Sequence, residues 1–110
     1  MNNLLTIVTE SLGHAKVNGE LTFPAIDKKV LASFSFLAGT KQVTVDLGGV
    51  TNADSAGLAL LIEWIKHARA LRLQIRFRNI PEQLVNLAKL SGLDKTDYFI
   101  SGTLNQTVSL

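Results

Sequence analysis

Residues Val43–Ile62 read VTVDLGGVTNADSAGLALLI, and the fold turns on how this stretch is read. Val43, Val45 and Leu47 alternate with Thr44 and Asp46, the period of a strand with one buried face. Gly48-Gly49 interrupts the pattern, a loop is expected from Val50 to Asp54, and a helix from about Ala56 to Leu71. Asp54 or Ser55 can cap that helix by accepting a backbone N–H of its first turn. Gly57, lacking a side chain, leaves the backbone accessible there. The free N–H groups and the helix dipole favour an anion at the same point. The segment therefore reads as strand, loop and helix, with the Ser55 hydroxyl exposed at the open end of a sheet. An ordinary capped helix with no ligand fits these residues equally well.

Working outward, Leu73, Ile75 and Phe77 alternate with Gln74, Arg76 and Arg78 and predict another strand. Pro81 opens a helix with Leu84, Leu87 and Ala88 on one face, and Ser91-Gly92 closes it. On the N-terminal side, Leu4–Val8 and His14–Asn18 predict two short strands joined tightly at Leu12-Gly13. A helix is expected over Phe23–Phe36, with Pro24 tolerated in its first turn. Tyr98–Ile100 is a candidate last strand, and the tail from Gly102 is expected to fray. The order ββαβαβα, with strand–helix–strand units from Gln42 onward, predicts one α/β domain. Its mixed β-sheet has four to five strands, with helices packed against it.

The stretch 43–62 resembles the signature of STAS domains, in which a strand leads to Asp-Ser/Thr-small-Gly-Leu at a helix start. Val17-Asn18-Gly19-Glu20-Leu21 resembles the second strand of that family and its turn. Asn79-Ile80-Pro81 and Leu87-Ala88-Lys89-Leu90-Ser91-Gly92-Leu93 resemble its third helix and that helix's end. The likeness runs from about Leu4 to Leu93 and implies the SpoIIAA-like STAS fold. The runs GLALLIEWIKHA and LAKLSGL look most similar to the MlaB-type STAS subunit of Mla phospholipid-transport ABC complexes.

That resemblance implies a non-enzymatic accessory subunit without cofactor. Such a subunit binds the cytoplasmic ATPase (MlaF-like) of a complex that also contains a permease, and so sits peripheral to the inner membrane. Ser55 then occupies the Ser/Thr position that lies against the ATPase, or that a kinase phosphorylates in anti-sigma factor antagonists. Docking contacts are expected at Asn52, Asp54, Ser55, Ala56 and Gly57.

On a helical wheel, Leu58, Leu61, Ile62 and Ile65 share one face, which should pack on the sheet, while Leu60, Trp64 and Leu71 widen the apolar arc to roughly 200°. Leu60 and Trp64 are therefore expected in the docking patch, where Trp is a frequent anchor; the alternative for Trp64 is burial beneath the helix from Pro81. Arg69, Arg72, Arg76 and Arg78 form a run with no acid between Glu63 and Glu82. They read as a solvated face or charged edge strand, or as a contact with an acidic partner or anionic headgroups.

The bulk properties bound these readings. A chain of 110 residues with 46% hydrophobic content suits one domain and argues against long disorder. With no cysteine there is no disulfide framework and no thiolate metal site. A net charge of +2 and the lack of an aromatic platform beside the arginines argue against nucleic acid. No signal peptide is visible, and the apolar stretch from Gly57 stops at Glu63, far short of a membrane span. His14 and His67 have no second ligand at metal-binding spacing. No P-loop, dinucleotide fingerprint or nucleophile elbow occurs, so enzyme activity is not expected.

Overall fold

The computed structural model describes residues 5–26, 37, 39–93 and 98. Its elements are β1 (Thr6–Ser11), β2 (His14–Leu21), β3 (Gln42–Ala53), α1 (Ser55–Ala70), β4 (Gln74–Arg78) and α2 (Glu82–Ser91). The strands form one mixed sheet in the order β1-β2-β3-β4. β1 and β2 are an antiparallel hairpin, whereas β2–β3 and β3–β4 are parallel. The hairpin turns at Leu12-Gly13, where φ is +83° at Gly13 and a Cβ would stand 2.8 Å from the Gln42 carbonyl oxygen. Only glycine meets both conditions without strain.

The helix expected over Phe23–Phe36 falls largely outside the described residues. At its start the chain makes a turn in which the N–H groups of Ala25 and Ile26 both donate to the Thr22 carbonyl, at 3.0 and 3.1 Å. Of the candidate last strand only Tyr98 is described. It lies in a turn, and its carbonyl accepts the Phe77 N–H at 2.7 Å on the outer edge of β4.

β3 is longer than its sequence predicts, because Gly48-Gly49 does not end it. Beyond the glycines β2 stays alongside, pairing Asn18 with Gly49, Glu20 with Asn52 and Leu21 with Ala53, with register shifts on either side of Asn18-Gly19. A Cβ on Gly49 would run into the Asn18 side chain. The glycines thus mark an irregular, closely approached part of the ladder rather than a break. The loop expected over 50–54 contracts to Asp54.

One face of the sheet carries the core. Val17, Val43, Val45, Leu47, Ile75 and Phe77 join Leu60, Leu61, Trp64 and Ile65 of α1 and Leu84 and Ala88 of α2 in a single buried cluster. Trp64 stacks on Phe77 with ring centroids 6.5 Å apart and planes 22° from parallel. On the polar face, Asp46 sits between Lys16 of β2 and Arg78 of β4 in the cross-strand register. Partial burial pulls the Asp46 carboxyl upward in pKa. Hydrogen bonds from the Asn79 side chain (3.0 Å) and the Gly48 N–H (2.7 Å), with the charges of Arg78 and Lys16, outweigh it and hold the group below the ordinary value of 3.8.

A depressed folded-state pKa contributes stability that is present above the unfolded value and lost as pH falls through the folded one. Asp46→Asn is therefore expected to lower stability at neutral pH by about 0.5–1 kcal/mol, the range for a solvent-screened pair. In urea titrations the gap to the wild type should close as pH drops below 3.8. A gap that is constant with pH would contradict this account.

Candidate functional site

The junction between β3 and α1 is built around Asp54. Its backbone is extended (φ −137°, ψ −168°), and one carboxylate oxygen accepts the N–H groups of Ala56 at 2.9 Å and Gly57 at 3.4 Å. The other accepts the Phe23 N–H at 3.0 Å, and the Asp54 N–H donates to the Leu21 carbonyl at 3.0 Å. Asp54 rather than Ser55 is therefore the N-cap, an arrangement worth about 1 kcal/mol to the helix. It also ties the end of β2 to the start of α1.

Several expectations change with this geometry. The Ala56 and Gly57 N–H groups are not free for an outside anion, because the Asp54 carboxylate already occupies them. Gly57 is buried, and a Cβ there would run into the Leu21 carbonyl and stand 2.7 Å from the Leu21 Cβ. Its lack of a side chain lets α1 approach β2 inside the molecule instead of admitting a partner. Leu60, expected in the docking patch, and Trp64, expected there or beneath the helix from Pro81, are both 0% exposed and belong to the core. The reason is helix phase. With Gly57 seated on β2, positions 57, 60, 61, 64, 65 and 68 turn inward, and Ile62, expected to be buried, faces solvent.

What stays at the surface is Ser55, exposed in the first turn, with no hydrogen-bond partner for its hydroxyl among the described residues. Ala56 is half-buried. Ser55, Ala59 and Ile62 follow one another at spacings of four and three, forming an exposed stripe along α1. Asn52 is exposed but engaged. Its side-chain oxygen accepts the Ala53 N–H and the Gln83 amide, both at 3.0 Å, and so fastens the end of β3 to the first turns of α2.

Sequence reasoning missed Phe23. Its ring is 78% exposed, and its N–H is held by Asp54 on the other side of the same junction. The backbone bond to Asp54 thus holds Phe23 at the junction with its side chain presented to solvent. The sequence offered no cue, since Phe23 stands at the head of an expected helix where an aromatic reads as core. The constellation offers a rigid, half-apolar platform with a free hydroxyl. Among the described residues, no three His, Asp or Glu side chains group as metal ligands, and no helix is long and apolar enough to cross a membrane.

Comparison with known proteins adds two findings. A family model described as "Mlab, STAS domain" matches residues 11–104. Among solved structures, the anti-sigma factor antagonist SpoIIAA in its unphosphorylated form superposes with a TM-score of 0.61 at 13% identity, over 87% of this chain and 86% of that one. The Bacillus cell fate determinant SpoIIAA in the phosphorylated form does so with a TM-score of 0.63 at 16% identity, over 87% and 88%. At these identities the likeness is one of fold.

Proposed function

The chain belongs to the STAS domain family, and from that premise we propose that it is a non-enzymatic docking subunit of an ABC phospholipid-transport system. In this reading it binds and stabilises the cytoplasmic ATPase of a complex that also holds a permease. It rests at the inner membrane only through that complex, which maintains outer-membrane lipid asymmetry. The observation that carries the proposal is the exposed, unpartnered Ser55 hydroxyl on a junction locked by Asp54, with Phe23 beside it. A surface that is rigid before contact loses little conformational freedom on binding. By binding only the folded ATPase, the subunit would raise that ATPase's apparent stability by mass action.

The test is co-purification with the ABC ATPase encoded in the same organism. The wild type is expected to form a stoichiometric complex. Ser55→Trp, which places a large ring on an exposed site without touching the core, should weaken it by at least about tenfold, in the range of interface hot spots. A wild-type chain that fails to bind the ATPase would end the proposal.

The accessible Ser55 hydroxyl also supports a second reading, an anti-sigma factor antagonist switched by phosphorylation at Ser55. A phosphate there would bring a charge of about −1.5 to −2 next to the Asp54 carboxylate and change what the platform can meet. Mass spectrometry of the native protein separates the two. Stoichiometric phosphate on Ser55 favours the switch, and an unmodified Ser55 in the ATPase complex favours the transporter.

A further inference from the structure

We propose that the outer edge of β1 pairs with the same strand of a second copy of this chain, giving a weak dimer with one sheet running through both molecules. In the order β1-β2-β3-β4, β1 is an edge, and among the described residues no strand lies beyond it. Its six residues offer about 20 Å of backbone, at about 3.3 Å per residue, whose outward N–H and C=O groups can meet another strand.

Edge strands are commonly guarded by lysine, proline, a bulge or an inward-pointing charge. Thr6–Ser11 contains no proline, lysine or arginine. Its bulge falls between Thr9 and Ser11, at the hairpin end, while Thr6–Thr9 pairs regularly with Ala15–Asn18. Apolar side chains of this edge are incompletely covered on both faces. Val8, opposite Lys16 on the polar face, is 49% exposed. By alternation Leu5 and Ile7 point to the other face, where they pack against the core but are only partly buried.

The register follows from parity and charge. For both core faces to lie on the same side of the joined sheet, each residue must meet one that points the same way, so an antiparallel self-pairing is centred on a residue. Centring on Val8 sets the most exposed apolar side chain of the strand against its own copy and Ile7 beside Thr9. It also sets Glu10, the strand's single charge, beside Thr6 rather than another carboxylate. Cross-strand apolar pairs stabilise a sheet, and like charges directly opposite destabilise it. A ladder this short buries less than the roughly 1,200 Å² of a standard interface, which puts the dissociation constant on the order of 0.1–1 mM. The docking junction, beyond the ends of β2 and β3, takes no part in this contact.

Sedimentation equilibrium of the full chain from about 10 μM to about 1 mM tests the pairing, with amide NMR shifts followed over the same range. The average mass is expected to rise towards that of a dimer, with concentration-dependent shifts confined to Thr6–Ser11 and their β2 partners. Val8→Glu should weaken association by about tenfold or more, because the introduced carboxylate meets its own copy across the axis. Within the monomer the same group faces Lys16, so the fold is kept, and the NMR spectrum reports it. Val8→Ile should associate as well as the wild type or better. A wild type that stays monomeric at about 1 mM overturns the dimer, as does association that Val8→Glu leaves unchanged. Shifts centred on Phe23 or Leu90 do the same, by moving the contact to another exposed apolar residue. So do β1 amides protected from exchange along their outer edge in a monomer, which would make another segment of the same chain the occupant.

Discussion

Trp64→Ala is expected to cost about 3–5 kcal/mol of unfolding free energy. Trp64 is fully buried, lies in the middle of α1 and stacks on Phe77 of β4, so its removal opens a cavity where the helix meets the sheet. Domains of this size are stable by only about 5–15 kcal/mol, and the loss is a large part of that margin. Urea denaturation followed by circular dichroism measures it. Trp64 is the single tryptophan of the chain, which provides a second check on the wild type. Its emission should be blue-shifted and resist iodide quenching until the protein unfolds. Trp64→Phe, which retains an aromatic at the Phe77 contact, should cost markedly less. A Trp64→Ala protein within about 1 kcal/mol of wild type would place this ring outside the core. The same burial predicts that ATPase binding by the folded fraction of Trp64→Ala is unchanged, because the ring offers nothing to a partner.

The strands around Val45 and Phe77 and the close of α2 were legible because their signals are local. A two-residue period names a half-buried strand, and Ser91-Gly92 names a helix end, realised at Gly92 with φ +76°. The rotational phase of α1 was not legible. Leu58, Leu60, Leu61, Ile62, Trp64 and Ile65 offer more apolar surface than one face can bury, so periodicity cannot choose among the possible orientations. The choice is made by Gly57 against Leu21, a contact between residues far apart in sequence. The same holds for Gly48-Gly49, which reads locally as a break and becomes a ladder irregularity only because β2 runs beside it. It holds again for the Asn52–Gln83 and Phe23–Asp54 bonds, each spanning 31 positions. The β3–α1 junction that forms the candidate site was thus readable from Asp54-Ser55. Its membership was not, because which side chains reach the surface is settled by long-range packing.

Phe23→Ala is expected to weaken ATPase binding by about 2–4 kcal/mol, roughly 30- to 1000-fold, while leaving the unfolding free energy within about 0.5 kcal/mol of wild type. The asymmetry follows from where the ring sits. At 78% exposed it contributes little to the core, and the bond from its backbone N–H to Asp54 survives the substitution. Desolvating an exposed aromatic is a common source of hot-spot energy, and here the backbone that carries the ring is held by Asp54 before the partner arrives. Asp54→Ala provides the complementary case. It removes the cap and the tether together, so it should lose about 1 kcal/mol of stability and also weaken binding by loosening Phe23. A double-mutant cycle between Phe23→Ala and Ser55→Trp, read by calorimetry, then asks whether the two residues meet one surface. Neighbouring contacts in one interface should couple by about 0.5 kcal/mol or more, whereas independent sites add. Wild-type affinity in Phe23→Ala would move the docking surface elsewhere. Additivity in the cycle would leave Ser55 and Phe23 on separate faces of the contact, and a platform spanning the β3–α1 junction could not be maintained.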